Sequence, residues 1–127
     1  MRWSPGAWWP LAAGLLFLLA LVWRADFLRR LAATPLGGSL AQDAQTYWDW
    51  SGFLRAHGLL GTNPFFLGPL YPYVLAGLRA LVGDSVSGVL VVQALWGSLA
   101  VVLLADAARR LTSAGIGLAV GLFMAFY

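Results

Sequence analysis

The sequence predicts an all-α, multi-pass membrane protein: two full transmembrane helices plus a truncated third, with interfacial helices in a long outer loop. Three observations carry this. Hydrophobic residues occupy 61% of the 127 positions, against about 45–50% in a soluble domain. Charged residues make up only 10%, eight Arg and five Asp, too few to clothe a soluble globule of this size. Two stretches of 21 uncharged residues, between Arg2 and Arg24 and between Asp84 and Asp106, each match the roughly 20 apolar residues that cross a bilayer as a helix. High hydrophobicity with low charge also excludes a disordered chain.

Other counts narrow the chemistry. The chain has no Cys and one His, His57, which excludes disulfide frameworks, thiolate zinc sites and multi-histidine metal centres. No metal site is assigned. The net charge is +3, yet the basic residues form no run longer than the pairs Arg29-Arg30 and Arg109-Arg110. This is a poor footprint for nucleic acid and a good one for arginines that flank membrane helices. The lipid bilayer is the expected partner.

The first expected span covers residues 5–23, with Trp3, Trp8, Trp9 and Trp23 bracketing the run Leu11–Trp23 as an aromatic belt. No small-x-small cleavage site follows Trp23 directly, which favours an uncleaved anchor over a signal peptide. Residues 24–85 form the outer loop. Thr34-Pro35 and the glycines after it predict a turn. Ser39 and Gln42 have capping-box spacing, and Gly58 suits a helix C-terminus, so a helix is expected over roughly 40–57. Gly61, Asn63, Pro64, Gly68, Pro69 and Pro72 then break the next uncharged stretch into turns. After Pro72, Tyr73 to Gly83 forms a short helix of interfacial or re-entrant length, with Arg79 inside it.

The second span covers 86–107, with Gly88, Gly97 and Ser98 as small residues for close helix contact. Residues 111–127 start a third apolar helix, without a flanking charge to close it. The whole chain therefore reads as the N-terminal portion of a larger membrane domain. Arg2 and Arg109-Arg110 fall on one side of the two spans, and the positive-inside rule places that side, with the N-terminus, in the cytoplasm. Absence of both Lys and Glu points to a GC-rich bacterial coding sequence, hence the cell inner membrane.

Within the outer loop, Arg24, Arg29 and Arg30 have two readings: anchors of the first helix at the interface, or contacts for an anionic, lipid-linked substrate. On the expected 40–57 helix, Asp43, Tyr47 and Trp50 share one face at i, i+4 and i+7. Asp49 lies about 120° away from Asp43. Tyr47, Trp48 and Trp50 suit either the walls of a sugar or prenyl site or interfacial anchoring. An Asp at a helix start also complements the macrodipole, the plain alternative to a catalytic Asp43. His57 sits at the helix end, where a cation suits the dipole, and is assigned no catalytic role.

Asp43-x-x-x-Tyr47, then Gly58, then Phe65-Phe-Leu-Gly-Pro-Leu-Tyr-Pro72 resembles the start of a C-type membrane glycosyltransferase of the protein O-mannosyltransferase and aminoarabinose-transferase superfamily. The similarity in order and spacing runs on through Gln93-Ala-Leu-Trp-Gly97 to Ala108-Arg-Arg-Leu111. Many family members carry Asp-Glu or Asp-Asp where this chain has Asp43-Ala44, a departure that bears on metal binding. Members also have further helices and a later acidic loop.

The resemblance implies transfer of a sugar from a polyprenyl-phosphate donor to an acceptor at the outer membrane face, with Asp43 as base. The lipid-linked sugar enters as substrate, and no cofactor is named. Candidate donor contacts are Arg24, Arg29, Arg30, Tyr47 and Arg55, the arginines for the phosphate. By itself the 127-residue chain is expected to be inactive. The alternative is a small non-catalytic membrane interaction or scaffold protein, or a degraded gene fragment.

Overall fold

The computed structural model describes residues 8–35, 37, 39–58 and 67–127. Those residues form five α-helices and no strand: α1 Trp9–Ala32, α2 Asp43–His57, α3 Leu70–Val82, α4 Val86–Leu111 and α5 Ala114–Phe126. The all-α expectation is met. Two helices, α1 and α4, are long and apolar enough to cross a membrane. Arg2, Trp3 and the breaks expected at Gly61, Asn63 and Pro64 lie outside the described residues.

The helix bounds differ from the expected spans for a physical reason. The charge-free gap ends at Trp23, yet α1 continues to Ala32, so Arg24, Arg29 and Arg30 are helical rather than in a loop. Charge marks where an apolar slab ends; it does not end a helix. Asp26 accepts from Arg29 Nη2 at 2.9 Å and from Arg30 Nε at 2.6 Å, the i+3 and i+4 pairings that support a helix. The same Asp-x-x-Arg-Arg pattern recurs at the end of α4. There Asp106 bonds Arg109 and Arg110 at 2.6 Å each, and the helix runs past the expected 107 to Leu111. Both arginine pairs also complement the negative end of their helix dipole.

The chain divides into two compact units, residues 31–92 and residues 1–30 with 93–127. In the second of these, the core joins α1, α4 and α5. Trp9 and Leu16 pack on Ala105, and Ala20 packs with Val101 and Ala125. The buried residues of α5 are Gly117, Gly121 and Ala125, a small-residue stripe at four-residue spacing that admits close helix approach. A Cβ on Gly117 would lie 2.7 Å from Arg109 Cβ and 2.8 Å from the Ala105 carbonyl oxygen. That backbone neighbour leaves no room for a side chain.

Ser113 caps α5 by accepting from the Ile116 amide at 3.4 Å, so the third apolar run starts its helix at Ala114 rather than Leu111. At the other end, Arg24 Nη1 donates to the Ala125 carbonyl at 3.2 Å, and Nη2 to that of Met124 at 3.5 Å. These are carbonyls that a helix end leaves unpaired. The Arg24 side chain thus acts as a C-terminal clamp on α5. Arg109, bonded to Asp106, also stacks over the Trp9 ring at 4.6 Å.

In the unit of residues 31–92, α2 and α3 pack on each other and against the first turns of α4. Leu75, Leu78 and Val89 form the buried centre, and Tyr47, Trp48, Val74, Val82 and Val92 close around it. The α2 helix starts three residues later than expected. Gln42 is the N-terminal boundary at φ 52°, and its side chain makes no capping bond. Backbone turns supply the acceptors instead: Ala44 N–H donates to Ala41 O, and Thr46 N–H to Gln42 O. Gly58 ends the helix as expected, at φ 92°, a value that favours glycine.

The third helix begins at Leu70 and takes Pro72 into its first turn. There the missing N–H is one that has no intrahelical acceptor anyway.

The small-residue stripe yields a prediction. Gly117→Val should destabilise the helical packing of α5 by about 1–3 kcal/mol through overpacking. Gly14→Ala, where an added Cβ meets nothing within 4 Å, should leave the melting temperature in detergent unchanged or slightly raised. Thermal unfolding followed by circular dichroism checks the pair.

Candidate functional site

The expected site residues distribute unevenly. Asp43 opens α2, and Tyr47 follows one turn later. The Asp43 side chain is exposed, and its carboxylate makes no hydrogen bond or ion pair with any other described residue. Tyr47 is half-buried: one side closes the Leu75–Leu78–Val89 core, and the ring meets Tyr71 edge to face with centroids 4.9 Å apart. These two tyrosines open onto a groove of about 330 Å³, completed by Gly68, Pro69, Leu70 and Val74. Its lining is almost wholly apolar. One turn of α2 therefore separates an exposed carboxylate from Tyr47 and its aromatic, apolar groove.

The arginines do not gather around that carboxylate. Arg55 lies twelve residues further along α2, about 18 Å at 1.5 Å per residue, and its Nη1 donates to Asp84 Oδ1. Arg29 and Arg30 both hold Asp26, and Arg24 holds the carbonyls that end α5. Asp49, expected to point away from Asp43, accepts from Gln45 Nε2 at 2.8 Å. His57 stacks on Phe53 at the C-terminal end of α2, with centroids 4.3 Å apart.

A cluster that sequence reasoning missed holds the α2–α3 pair together. Arg79 is only 7% exposed, and all its nitrogens are engaged. Nε and Nη2 bond Asp84 Oδ1 at 2.8 and 2.7 Å. Nη1 donates to the Trp48 carbonyl and to Ser51 Oγ, at 2.6 Å each. The guanidinium also lies 4.0 Å from the Trp48 ring centroid. Ser51 Oγ–H in turn donates to the Trp48 carbonyl at 2.7 Å.

The planar fork of Arg satisfies these acceptors together in a way that a lysine ammonium does not. The signal was present: one cation inside a short apolar helix requires internal acceptors, and Asp84 stands five residues on. Trp48, read as a ligand or interface ring, serves this packing.

Hydrogen bonding from Arg79 holds the Asp84 carboxyl below its ordinary value of 3.8, against the opposing effect of desolvation. The charges of Arg79 and Arg55 add to the lowering. A group with a depressed folded-state pKa contributes stability above its unfolded value and loses that contribution as pH falls through the folded one. The α2–α3 pair should therefore show pH-independent stability from pH 5 to 8 on this account, and weaken only below about pH 4. Asp84→Asn should remove that acid-side fall. Arg79→Ala should lower stability throughout by about 1–3 kcal/mol, because the buried Ser51 and Trp48 acceptors lose their donor. Thermal melts in detergent across pH check all three.

Among the described residues, no cluster of three or more His, Cys, Asp or Glu could hold a metal ion. Compared with protein families, curated proteins and solved structures, the chain matches none.

Proposed function

We propose that this chain forms the membrane-anchoring, acceptor-activating part of an enzyme that transfers a sugar from a polyprenyl-phosphate donor. In this reading α1 and α4 cross the cell inner membrane, α2 and α3 lie at its outer face, and the N-terminus is cytoplasmic. The apolar lengths of α1 and α4 support the crossing, and the arginine pair ending α4 supports the orientation. The observation that carries the chemistry is Asp43, a carboxylate with no partner among the described residues, one turn from Tyr47 and its apolar groove. The further residue-level support is the resemblance of Asp43-x-x-x-Tyr47 and its downstream Pro-rich segment to the glycosyltransferase pattern.

Chemically, the acceptor hydroxyl gives its proton to the Asp43 carboxylate as its oxygen bonds the anomeric carbon. The bond from that carbon to phosphate oxygen breaks, and the phosphate leaves with the electron pair. A base in this role typically contributes about 10²–10⁴-fold in rate. The groove beside Tyr47 and Tyr71 suits the apolar part of the donor.

A second reading, a non-catalytic membrane scaffold, is favoured by one specific observation. Arg24, Arg29, Arg30 and Arg55 are each held by protein carboxylates or carbonyls, as in a purely structural framework.

Two measurements test the proposal. In membranes carrying the complete protein, Asp43→Asn should reduce release of polyprenyl phosphate from a radiolabelled polyprenyl-phosphate sugar by about 10²–10⁴-fold, while Asp49→Asn stays near the unsubstituted rate. Equal losses, or no turnover in the parent, would favour the scaffold. For topology, the chain has no native Cys, so Ser39→Cys and Thr112→Cys give clean labelling. An impermeant maleimide should label position 39 in intact cells and position 112 only after permeabilisation.

A further inference from the structure

The α3 helix is inverted relative to a water-facing amphipathic helix. Its charge, Arg79, is buried together with Pro72, Leu75, Ala76 and Leu78. The opposite face carries Leu70 and Leu81, which are 75% and 82% exposed. At 100° per residue, Leu70, Gly77 and Leu81 fall within about 40° of one another, with half-buried Val74 at the border with the core. No charged side chain stands among them. A face of this composition is expensive in water, at about 25 cal/mol for each Å² of apolar surface.

The position of α3 next to α4 bears on what that face meets. Only Gly83, Asp84 and Ser85 separate it from α4, and its inner face packs on Val89 within the first two turns of α4, with Val92 against the same cluster. Those residues are three and six positions into α4, about 4.5 and 9 Å along its axis. Where α4 enters the bilayer, α3 is held at that same depth. At 13 residues, about 20 Å, it is too short to cross a core of about 30 Å.

We propose that the Leu70–Gly77–Leu81 face of α3 is immersed in the acyl chains of one leaflet, with α3 acting as a half-depth helix bound to lipid. This rests on the membrane reading of α4 and goes beyond it by naming the face, the depth and the partner. The Arg79 cluster lets the arrangement form, because the one cation of α3 is turned inward and satisfied before the helix meets lipid.

Site-directed spin labelling of the full chain in phosphatidylcholine–phosphatidylglycerol vesicles tests this. Single cysteines go in at Leu70 and Leu81, with Leu103 in α4 and Asp49 on α2 as references. Leu70 and Leu81 are exposed, so labels there leave the packing intact. The expected result is several-fold greater access for oxygen than for a water-soluble nickel chelate at 70, 81 and 103, and the reverse at 49.

Nickel access at 70 and 81 matching that at 49 overturns the proposal and puts α3 in water. Low access to both reagents, with dipolar broadening between labels, overturns it in favour of a second copy. If Leu103 also fails to show oxygen access, the membrane reading of α4 falls with it. If Leu103 alone shows it, only the placement of α3 falls.

Discussion

Every described arginine is held by the chain itself, and much of the structure follows from where those acceptors lie. Arg29 and Arg30 share Asp26, Arg109 and Arg110 share Asp106, and Arg55 and Arg79 share Asp84. Arg24 takes backbone carbonyls at the end of α5. Each aspartate in these sets carries two guanidiniums, so the three clusters are each left with one net positive charge. In a chain with this much apolar surface, an unpaired cation is costly wherever water is scarce. Local pairing lets the long apolar helices continue past their first charges.

The buried member, Arg79, does more than neutralise. By bonding the Trp48 carbonyl and Ser51 from α3, it sets how α2 lies on α3. That places Tyr47 against Tyr71 and creates the apolar groove one turn from Asp43. The candidate chemistry at Asp43 and the packing at Arg79 are therefore linked through the rigid turns of α2. Arg79 itself is buried while Asp84 is largely exposed, so the constraint on α2 comes from the Trp48 carbonyl and Ser51, acceptors that a buried guanidinium must keep.

The small residues make a complementary contribution around α1, α4 and α5. Gly117, Gly121 and Ala125 are buried, and Ala20 and Ala105 are fully enclosed. Close backbone approach at these positions works beside the larger buried side chains Trp9, Leu16 and Val101. The larger residues of the same helices, such as Leu11, Leu18, Val22 and Leu103, point outward. This inside-out division of size is the arrangement expected where lipid is the solvent.

The helical class, the two long apolar helices, the turn after Thr34 and the helix end at Gly58 were legible in the sequence. Each depends on local composition or backbone propensity, which neighbouring residues determine. The ends of α1 and α4 were not, because i+3 and i+4 ion pairs carry a helix beyond its last apolar residue. The α2 start was missed because a strained turn at Gln42, rather than a Ser39 cap, begins it.

At the candidate site, the sequence alone placed Asp43 and Tyr47 one turn apart, since helical spacing suffices for that. Only tertiary structure decided that Tyr47 pairs with Tyr71, that Arg55 belongs to Asp84, and that Arg79 turns inward. Those outcomes depend on contacts between residues 24 to 31 positions apart, where packing and shared acceptors, not local pattern, select the partner.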